Sequence, residues 1–448
     1  MLNKFSITII LSLLSQLALF GQAAQGVRVG FVNIGPYAQA NAKHNLFCLI
    51  DNYTPNPLNS IVLSWQNGND EPQSKVVENI NLFQWDNKLV DLVAQINVGA
   101  PGNYLIKFWV STVNNVPLTE TDTLKISYQA LEQTAIRFIL FENFTSIGCG
   151  TCSTANPFLR NLAQKYSGKA FFVAYHTDCY SGNPMCQLVS GEVEERKLLY
   201  DAIYTPFSAL SSLYGDNSLS FDATYFDSEL QRESAIGING SFDINESTVT
   251  GSVTFTPFTS ISIENLVVRL AITQDIVEFA SAPGSNGEKV FYHVLRRVVR
   301  IPNTQFQSFS SGEQFIFDFS EDFEGLNVDI SKFRIAAFVQ DTSTQNVLQA
   351  FELVNNVTSA NLIGLKSNFR VYPNPAINGK SIRIELPEGS EGSYNVSIQT
   401  IQGQLLYQVE VTSNESVLSV STENLPKGIL IISVNGKNIS NSQKVIVQ

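Results

Sequence analysis

Charge is scarce in this chain. Only 15% of its 448 residues are Asp, Glu, Lys or Arg, against about a quarter in ordinary globular proteins. Positive charge is the scarcer kind: 28 Lys and Arg face 40 Asp and Glu, a formal net charge of -12. That excludes the basic footprint of a nucleic-acid-binding surface. There are only three histidines and five cysteines. His44, His176 and His293 are scattered, so a structural zinc site, which needs about four N and S ligands, finds few candidates. No apolar run after residue 20 is long enough to suggest a membrane span. What is abundant instead is Asn, Ser, Thr and Phe around short hydrophobic stretches. This composition suits β-sandwiches with uncharged polar outer faces better than helix bundles. The length exceeds what one core supports, so three or four domains are expected.

The first residues read as an export signal. Lys4 supplies a short positive region, Ile7 to Phe20 an apolar run, and Gly21-Gln22-Ala23 a small-x-small cleavage site. Residues 1–23 are therefore expected to be a signal peptide. No cysteine lies near the cleavage site to carry a lipid. The mature chain is expected to be exported, without a transmembrane helix, where disulfides persist.

Residues 24–132 read as a β-sandwich of immunoglobulin-like or fibronectin-like type. Val27–Val32, Leu46–Ile50, Ser60–Trp65 and Gly102–Val110 are short strands separated by Asn, Gly and Pro. The pattern then changes. Ile136–Phe141 has strand character, Cys149–Tyr166 is helical with Phe158, Leu159, Leu162 and Tyr166 on one side, and Ala170–Tyr175 is a second buried strand. Gly168 can stop the helix. Strand, helix and strand at this length form a βαβ unit with a parallel strand pair. Strands return: Thr248–Thr256 alternates, Leu266–Ile272 is a longer run and Phe333–Val339 another, which makes 237–356 a second β-sandwich. Residues 357–367 read as a linker. The remainder, 368–448, alternates again through Ile382–Ile384, Val396–Ile398 and Leu418–Val420.

Cys149 and Cys152 sit where the first strand of the βαβ unit feeds its helix. A thiolate there is stabilised by unpaired backbone N–H groups and the positive end of the helix dipole. Two intervening residues let the second thiol resolve a mixed disulfide formed by the first. Cys149 is then the attacking residue and Cys152 the resolving one. A metal clip and an inert disulfide are the alternatives. Cys179 and Cys186 bracket a six-residue loop with Gly and Pro, which a structural disulfide can close; a second redox pair is the sharper reading. Cys48, in an apolar strand, is expected to be a buried, inert thiol.

Around the pair the sequence resembles thioredoxin. Pro157 lies five residues after Cys152, where that family kinks this helix, and Tyr166-x-Gly168-Lys169 leads into the second strand at the family's spacing. The resemblance implies that Thr205-Pro206 is the cis-prolyl bond such proteins place against the CxxC, after a long insertion. There are departures. Ile147-Gly148 replace the usual Trp before the first cysteine, and the inner dipeptide is Gly150-Thr151 without Pro, so the family's redox potential does not carry over. Glu142 is a candidate proton relay or a structural carboxylate. His176 is a candidate for proton transfer or a satisfied strand-end histidine. The resemblance assigns 133–236 to a thioredoxin-like domain. Glu142–Thr145, Ala174–His176 and Tyr292–Arg297 together are similar to the outer-membrane-protein-28-related family, a thioredoxin-like domain followed by a β-sandwich in exported bacterial proteins, over about 133 to 355. Arg296, Arg297 and Arg300 are expected to form a solvated cluster.

Phe369-Arg370-Val371-Tyr372-Pro373-Asn374-Pro375, Gln402-Gly403-Gln404 and Leu425-Pro426-Lys427-Gly428 resemble the C-terminal type A sorting domain of the type IX secretion system. Leu430 and Gln448 depart from the family's habit of Tyr and a terminal basic residue. The resemblance makes the type IX secretion machinery a partner and places the protein at the cell surface, in the outer membrane or in the medium.

The combined expectation is a multi-domain, mostly β protein: an immunoglobulin-like sandwich, a thioredoxin-like α/β domain, a second sandwich and a sorting domain. Two functions stay open. One is thiol–disulfide exchange on a protein substrate through Cys149 and Cys152, with Pro206 shaping the substrate groove. The other is surface binding or adhesion with the thioredoxin fold as scaffold. No cofactor or metal is expected.

Overall fold

The computed structural model describes residues 26–119, 121–179, 182–211, 214–262, 264–301, 309–356, 369–386, 393–400, 405–412, 417–436 and 439–447. The signal segment 1–23, the linker 357–367 and Gln402-Gly403-Gln404 lie outside the described residues. The protein is multi-domain and mostly β. It divides into two compact units, Met1–Glu132 with Ala223–Arg232, and Gln133–Asp222 with Glu233–Gln448.

The first unit is a two-sheet sandwich. Strands Val27–Val32, Lys43–Asn52 and Asn87–Asn97 form one sheet; Tyr37–Gln39, Ile61–Asn67, Gln73–Val77, Gly102–Val113 and Thr123–Leu131 form the other. Alternation drives the packing: Leu46, Cys48 and Ile50 of one sheet share a core with Leu63, Ile106 and Phe108 of the other. Cys48 is a free thiol, fully buried, and that burial pushes its pKa well up. The helix Ala223–Leu230 belongs to this unit. Asn45 Nδ2 donates to Gln231 Oε1 at 2.7 Å just beyond it. Residues 223–232, expected from the sequence within 133–236, thus pack with the sandwich.

The second unit is organised by an eight-stranded sheet. Its elements in chain order are β1 (Ile139–Thr145), α1 (Cys152–Lys165), β2 (Ala170–His176), α2 (Ser190–Tyr200), β3 (Phe207–Leu210), β4 (Tyr214–Asn217), β5 (Leu266–Glu278), β6 (Val290–Ile301), β7 (Phe333–Asp341) and β8 (Val347–Glu352). The strand order is β4-β3-β1-β2-β6-β5-β7-β8. β1 and β2 pair in parallel from Ile139↔Ala170 to Thr145↔His176, as a βαβ crossover requires. α1 ends at Lys165, and the turn beyond it passes through Gly168 at a φ of +72°, a left-handed conformation that glycine enters without steric cost. One parallel bridge, Ala174↔Val294, joins β2 to β6. The sheet therefore continues across residue 236 into strands of the expected second sandwich.

β7 serves two cores. On β7, Phe333, Ile335, Ala337 and Val339 face one cluster, while Ala336 and Phe338 face another. The first cluster lies against a second sheet built from Ile236–Asn245, Thr248–Pro257, Phe315–Asp322 and Val354–Asn355. The other contains Val193 of α2 together with Leu140, Phe144, Phe171 and Tyr175 of β1 and β2. The tail has its own core, made from Ile382, Ile384, Val396, Ile398, Ile432, Val434 and Val445 among others. Its strands are Arg370–Tyr372, Ser381–Glu385 and Val417–Ser421 in one sheet, and Ser393–Thr400, Leu405–Thr412, Gly428–Gly436 and Ile439–Val447 in the other.

The α2 face of the sheet holds a buried ion pair. Arg196 Nε donates to Glu142 Oε1 at 2.8 Å and Nη2 to Oε2 at 2.5 Å. Tyr175 donates to Oε1 at 2.7 Å, Tyr200 to Oε2, and Arg196 Nη1 reaches Gln340 Oε1 at 2.7 Å. Glu142 and Gln340 are fully buried and Arg196 is 2% exposed. Burial works against the Arg196 charge, but Glu142, Tyr200 and Tyr175 together outweigh it and raise the guanidinium pKa. Glu142 is a structural carboxylate, satisfied on the α2 face. The Arg296–Arg300 cluster is not a solvated one. Arg296 is buried with Nε donating to Gln274 at 3.0 Å, and burial lowers its pKa to about 10. Arg297 pairs with Glu321 at 2.5 Å, and Arg300 pairs with Glu195. On β6 Arg296 is buried, while Arg297 is half-buried and Arg300 exposed, each beside an acidic partner.

Removing one charge of a buried pair costs about 3–5 kcal/mol. Glu142→Gln is therefore expected to destabilise the second unit by that order, which is about a hundredfold or more in hydrogen exchange at the most protected β1 amides. Exchange within about threefold of the parent protein would show that the pair carries no such weight.

Candidate functional site

Cys149 and Cys152 are bonded, with S–S 2.08 Å and Cα atoms 5.3 Å apart. α1 begins at Cys152, so Cys149 lies just before the helix rather than in its first turn. The Cys152 N–H points at Cys149 Sγ, 3.1 Å away, and Thr151 Oγ1 lies 3.4 Å from the same sulfur. No acidic residue occupies the first turn of α1 to offset its positive end. Cys149 is half-buried between exposed Gly148 and Gly150, while Cys152 is fully buried. The outer sulfur is the reachable one, and it is the one that receives the helix N–H.

Three separate segments hold the approach to Cys149. Within the approach itself, Gly148 N donates to Ser146 Oγ at 3.0 Å and Cys149 N to Ser146 O at 3.3 Å. The loop after β2 is closed by a Cys179–Cys186 disulfide, Cα atoms 5.0 Å apart. From that loop Asp178 accepts the Ser146 hydroxyl at 2.8 Å and Asn183 Nδ2 at 2.5 Å. The third segment is the loop between β5 and β6. Asn286 N donates to Ile147 O at 3.0 Å, and its side chain reaches Ser146 O at 3.2 Å. Gly284 lies so close that a Cβ there would stand 2.4 Å from the Ile147 carbonyl oxygen, which only glycine permits.

Pro206 follows a cis peptide bond, is buried, and accepts Ser218 N–H at 3.3 Å. It precedes Phe207, which pairs with Phe144. Pro206 therefore lies at the end of β1 from which the chain runs on to Cys149. Pro157 lies inside α1, where it cannot donate to the carbonyl four residues earlier.

Beside α1 is a cavity of about 370 Å³. His176 and His293, far apart in sequence, both line it. So does Glu288, whose oxygens accept Asn156 Nδ2 at 3.0 Å each and Asn286 Nδ2 at 2.6 Å. Asn156 also accepts Thr145 Oγ1 at 3.3 Å and Asn143 Nδ2 at 3.4 Å. Partial burial raises the Glu288 pKa, although the amide hydrogen bonds pull the other way. Asn156, Asp178, Asn286 and Glu288 were not singled out by the sequence. Ser285-Asn286-Gly287 signals only a turn, and the partner it clamps is remote in the chain.

His176 is 3% exposed, with Nδ1 3.3 Å from Asn183 Nδ2. Burial lowers its pKa to about 4; Asp178 opposes the shift and Arg296 adds to it. It is a satisfied, neutral strand-end histidine at neutral pH. Among the described residues, no group of three or more His, Cys, Asp or Glu side chains is placed to hold a metal ion.

Residues 370–448 match the family described as Secretion system C-terminal sorting domain. No curated protein matches the chain significantly. Among solved structures, HBP35 of Porphyromonas gingivalis is similar at 14% identity, covering 70% of this chain and 99% of that one, with a TM-score of 0.40. A protein from Agrobacterium tumefaciens is similar at 19% identity, covering 53% and 100%, with a TM-score of 0.34. A domain of the outer membrane lipoprotein Omp28 from Porphyromonas gingivalis is similar at 16% identity, covering 28% and 90%, with a TM-score of 0.19. With TM-scores below 0.5, these likenesses set neither the fold nor the role of this chain. The tail does bear on destination: the protein carries a type IX sorting domain, is exported to the cell surface or secreted, and engages the type IX secretion machinery through that domain. No helix among the described residues is long and apolar enough to cross a membrane.

The His176 shift has a signed consequence. The unfolded histidine titrates near 6.5, so between about 6.5 and about 4 the unfolded state binds more protons. The stabilising contribution is present above about 6.5 and is lost as pH falls through about 4. His44 in the first unit is also lowered to about 4, by burial, so the measurement must be local. Hydrogen exchange at β2 amides is expected to accelerate as pH falls through this window, after correction for intrinsic rates. The acceleration should be smaller in His176→Gln. Equal pH dependence in the two proteins would contradict the assignment.

Proposed function

We propose that this exported protein carries out thiol–disulfide exchange through Cys149 and Cys152 on a thioredoxin-like segment spanning 133–222 and continuing into the sandwich strands. The observation that carries the reading is the Cys152 N–H directed at Cys149 Sγ, with the inner sulfur sealed. A negative charge developing on Cys149 meets that N–H and the positive end of α1.

Starting from the bonded pair, a substrate thiolate attacks Cys149 Sγ. The Cys149–Cys152 bond breaks, and Cys152 leaves as a thiolate that takes up a proton. A second substrate thiolate then attacks the substrate sulfur of the mixed disulfide and displaces Cys149 as a thiolate. The substrate gains a disulfide, and the pair gains two electrons. In the reverse direction Cys149 attacks a substrate disulfide and Cys152 resolves the intermediate. Pro206, at the same end of β1, shapes the substrate groove. Cys179–Cys186 is the structural brace of the loop that presents Asp178 to Ser146.

The second reading is a surface binding protein that uses this segment as a scaffold. The cavity beside α1 favours it, because a binding protein needs a recess and the cysteine pair does not line this one.

After mild reduction, a small alkylating reagent at neutral pH is expected to label Cys149 well before Cys152. Cys152→Ser should accumulate mixed disulfides through Cys149, and Cys149→Ser should form few. Equal or reversed labelling would remove the assignment of attacker and resolver. Inertness of both thiols after reduction would favour the scaffold.

A further inference from the structure

β2 and β6 are joined by a single bridge, Ala174↔Val294. Within β6, His293 holds a φ of +55°, with Nδ1 3.1 Å from Asp275 Oδ1. A non-glycine residue in that conformation turns its strand out of the regular pleat. The cavity of about 370 Å³ lies beside that bridge, with Phe172 and Ala174 from β2, Phe291 and Tyr292 from β6, and Asn156 and Pro157 from α1.

These walls are largely apolar, and one carboxylate, Glu288, is set among them half-buried. Its side-chain donors, Asn156 and Asn286, are neutral amides, so its charge is hydrogen-bonded without being neutralised. Arg160 and Lys289 also line the cavity, but both are exposed, and Arg160 already lies over the Tyr292 ring at 4.2 Å. Exposed cations act through water and are screened, whereas a half-buried carboxylate acts at lower dielectric. The carboxylate therefore sets the sign of the interior.

We propose that this crevice binds an ammonium group on an apolar stem, as presented by the lysine side chain of a peptide or protein. The methylene stem packs on the apolar walls, the ammonium donates to Glu288, and the aromatic rings contribute cation–π attraction. The volume is at the lower end of ligand pockets, enough for one long side chain. The site stands whether or not the cysteine pair turns over, because the pair does not line it.

The test is calorimetric titration of the intact mature protein with acetyl-Ala-Lys-Ala-amide, with norleucine and glutamate peptides of the same length as comparisons. Saturable binding of the lysine peptide is expected, with the norleucine peptide about tenfold weaker or worse, the scale of one charge-assisted hydrogen bond. Glu288→Gln keeps acceptors for both amides and should weaken the lysine peptide by a similar factor. Ala174→Leu fills the crevice without changing charge and should abolish binding, with circular dichroism confirming that both variants fold. Absence of saturable lysine-peptide binding, equal affinity for lysine and norleucine, or tighter binding of the glutamate peptide would overturn the proposal. Unchanged affinity in both variants would also overturn it, by placing binding elsewhere. Failure of the thiols to react would leave it standing.

Discussion

The single bridge between Ala174 and Val294 is the constraint on which the second unit depends. It joins a parallel βαβ pair to the antiparallel β5-β6-β7-β8 strands and makes one sheet of two patterns. Because of it, the loop between β5 and β6 lies against the approach to Cys149, and Asn286 can hold both Ser146 and Ile147. The cavity lies beside that bridge, lined by Ala174 and by His293, where β6 holds a φ of +55°. The cysteine loop is thus positioned partly by residues more than a hundred positions away.

The two faces of the sheet divide the work. Alternation sends Glu142 toward α2, where Arg196, Tyr175, Tyr200 and Gln340 surround it. It sends Asn143 and Thr145 toward α1, where they bond Asn156 and, through it, Glu288. A polar ladder of neutral amides and one carboxylate therefore runs along the α1 face, while the strong charge pair is sealed on the other. This arrangement keeps the Arg196 charge in a structural role and leaves Glu288 as the carboxylate facing the recess.

Much of the fold was legible because it rests on local alternation. Val27–Val32, Gly102–Val113 and Thr248–Pro257 are strands whose burial alternates, and Phe333–Asp341 is a short apolar run buried on both faces. The tail was legible from short motifs, and the sorting-domain match spans 370–448. The first strand of the βαβ unit was read too early, at 136–141 instead of 139–145, because Glu142, Asn143 and Thr145 look like a strand end. They are buried only because partners arrive from α1, α2 and β3. α2 was not read at all: its charged surface hides a buried Val193 and Arg196. The Cys149–Cys152 spacing was local and visible. The Glu288–Asn156 contact was not, since it exists only once β6 lies beside β2.

Thiol–disulfide exchange led by Cys149 requires that the start of α1 stabilise negative charge on its sulfur. The direct measurement is an ultraviolet titration of thiolate absorbance in reduced Cys152→Ser protein, with the same titration of Cys149→Ser/Cys152→Ser protein subtracted to remove Cys48, Cys179 and Cys186. The expected result is a Cys149 pKa at least about one unit below the ordinary thiol value near 8.5. A value at or above about 8.5 would contradict the claim, because the helix would then give the sulfur no advantage as attacker or leaving group.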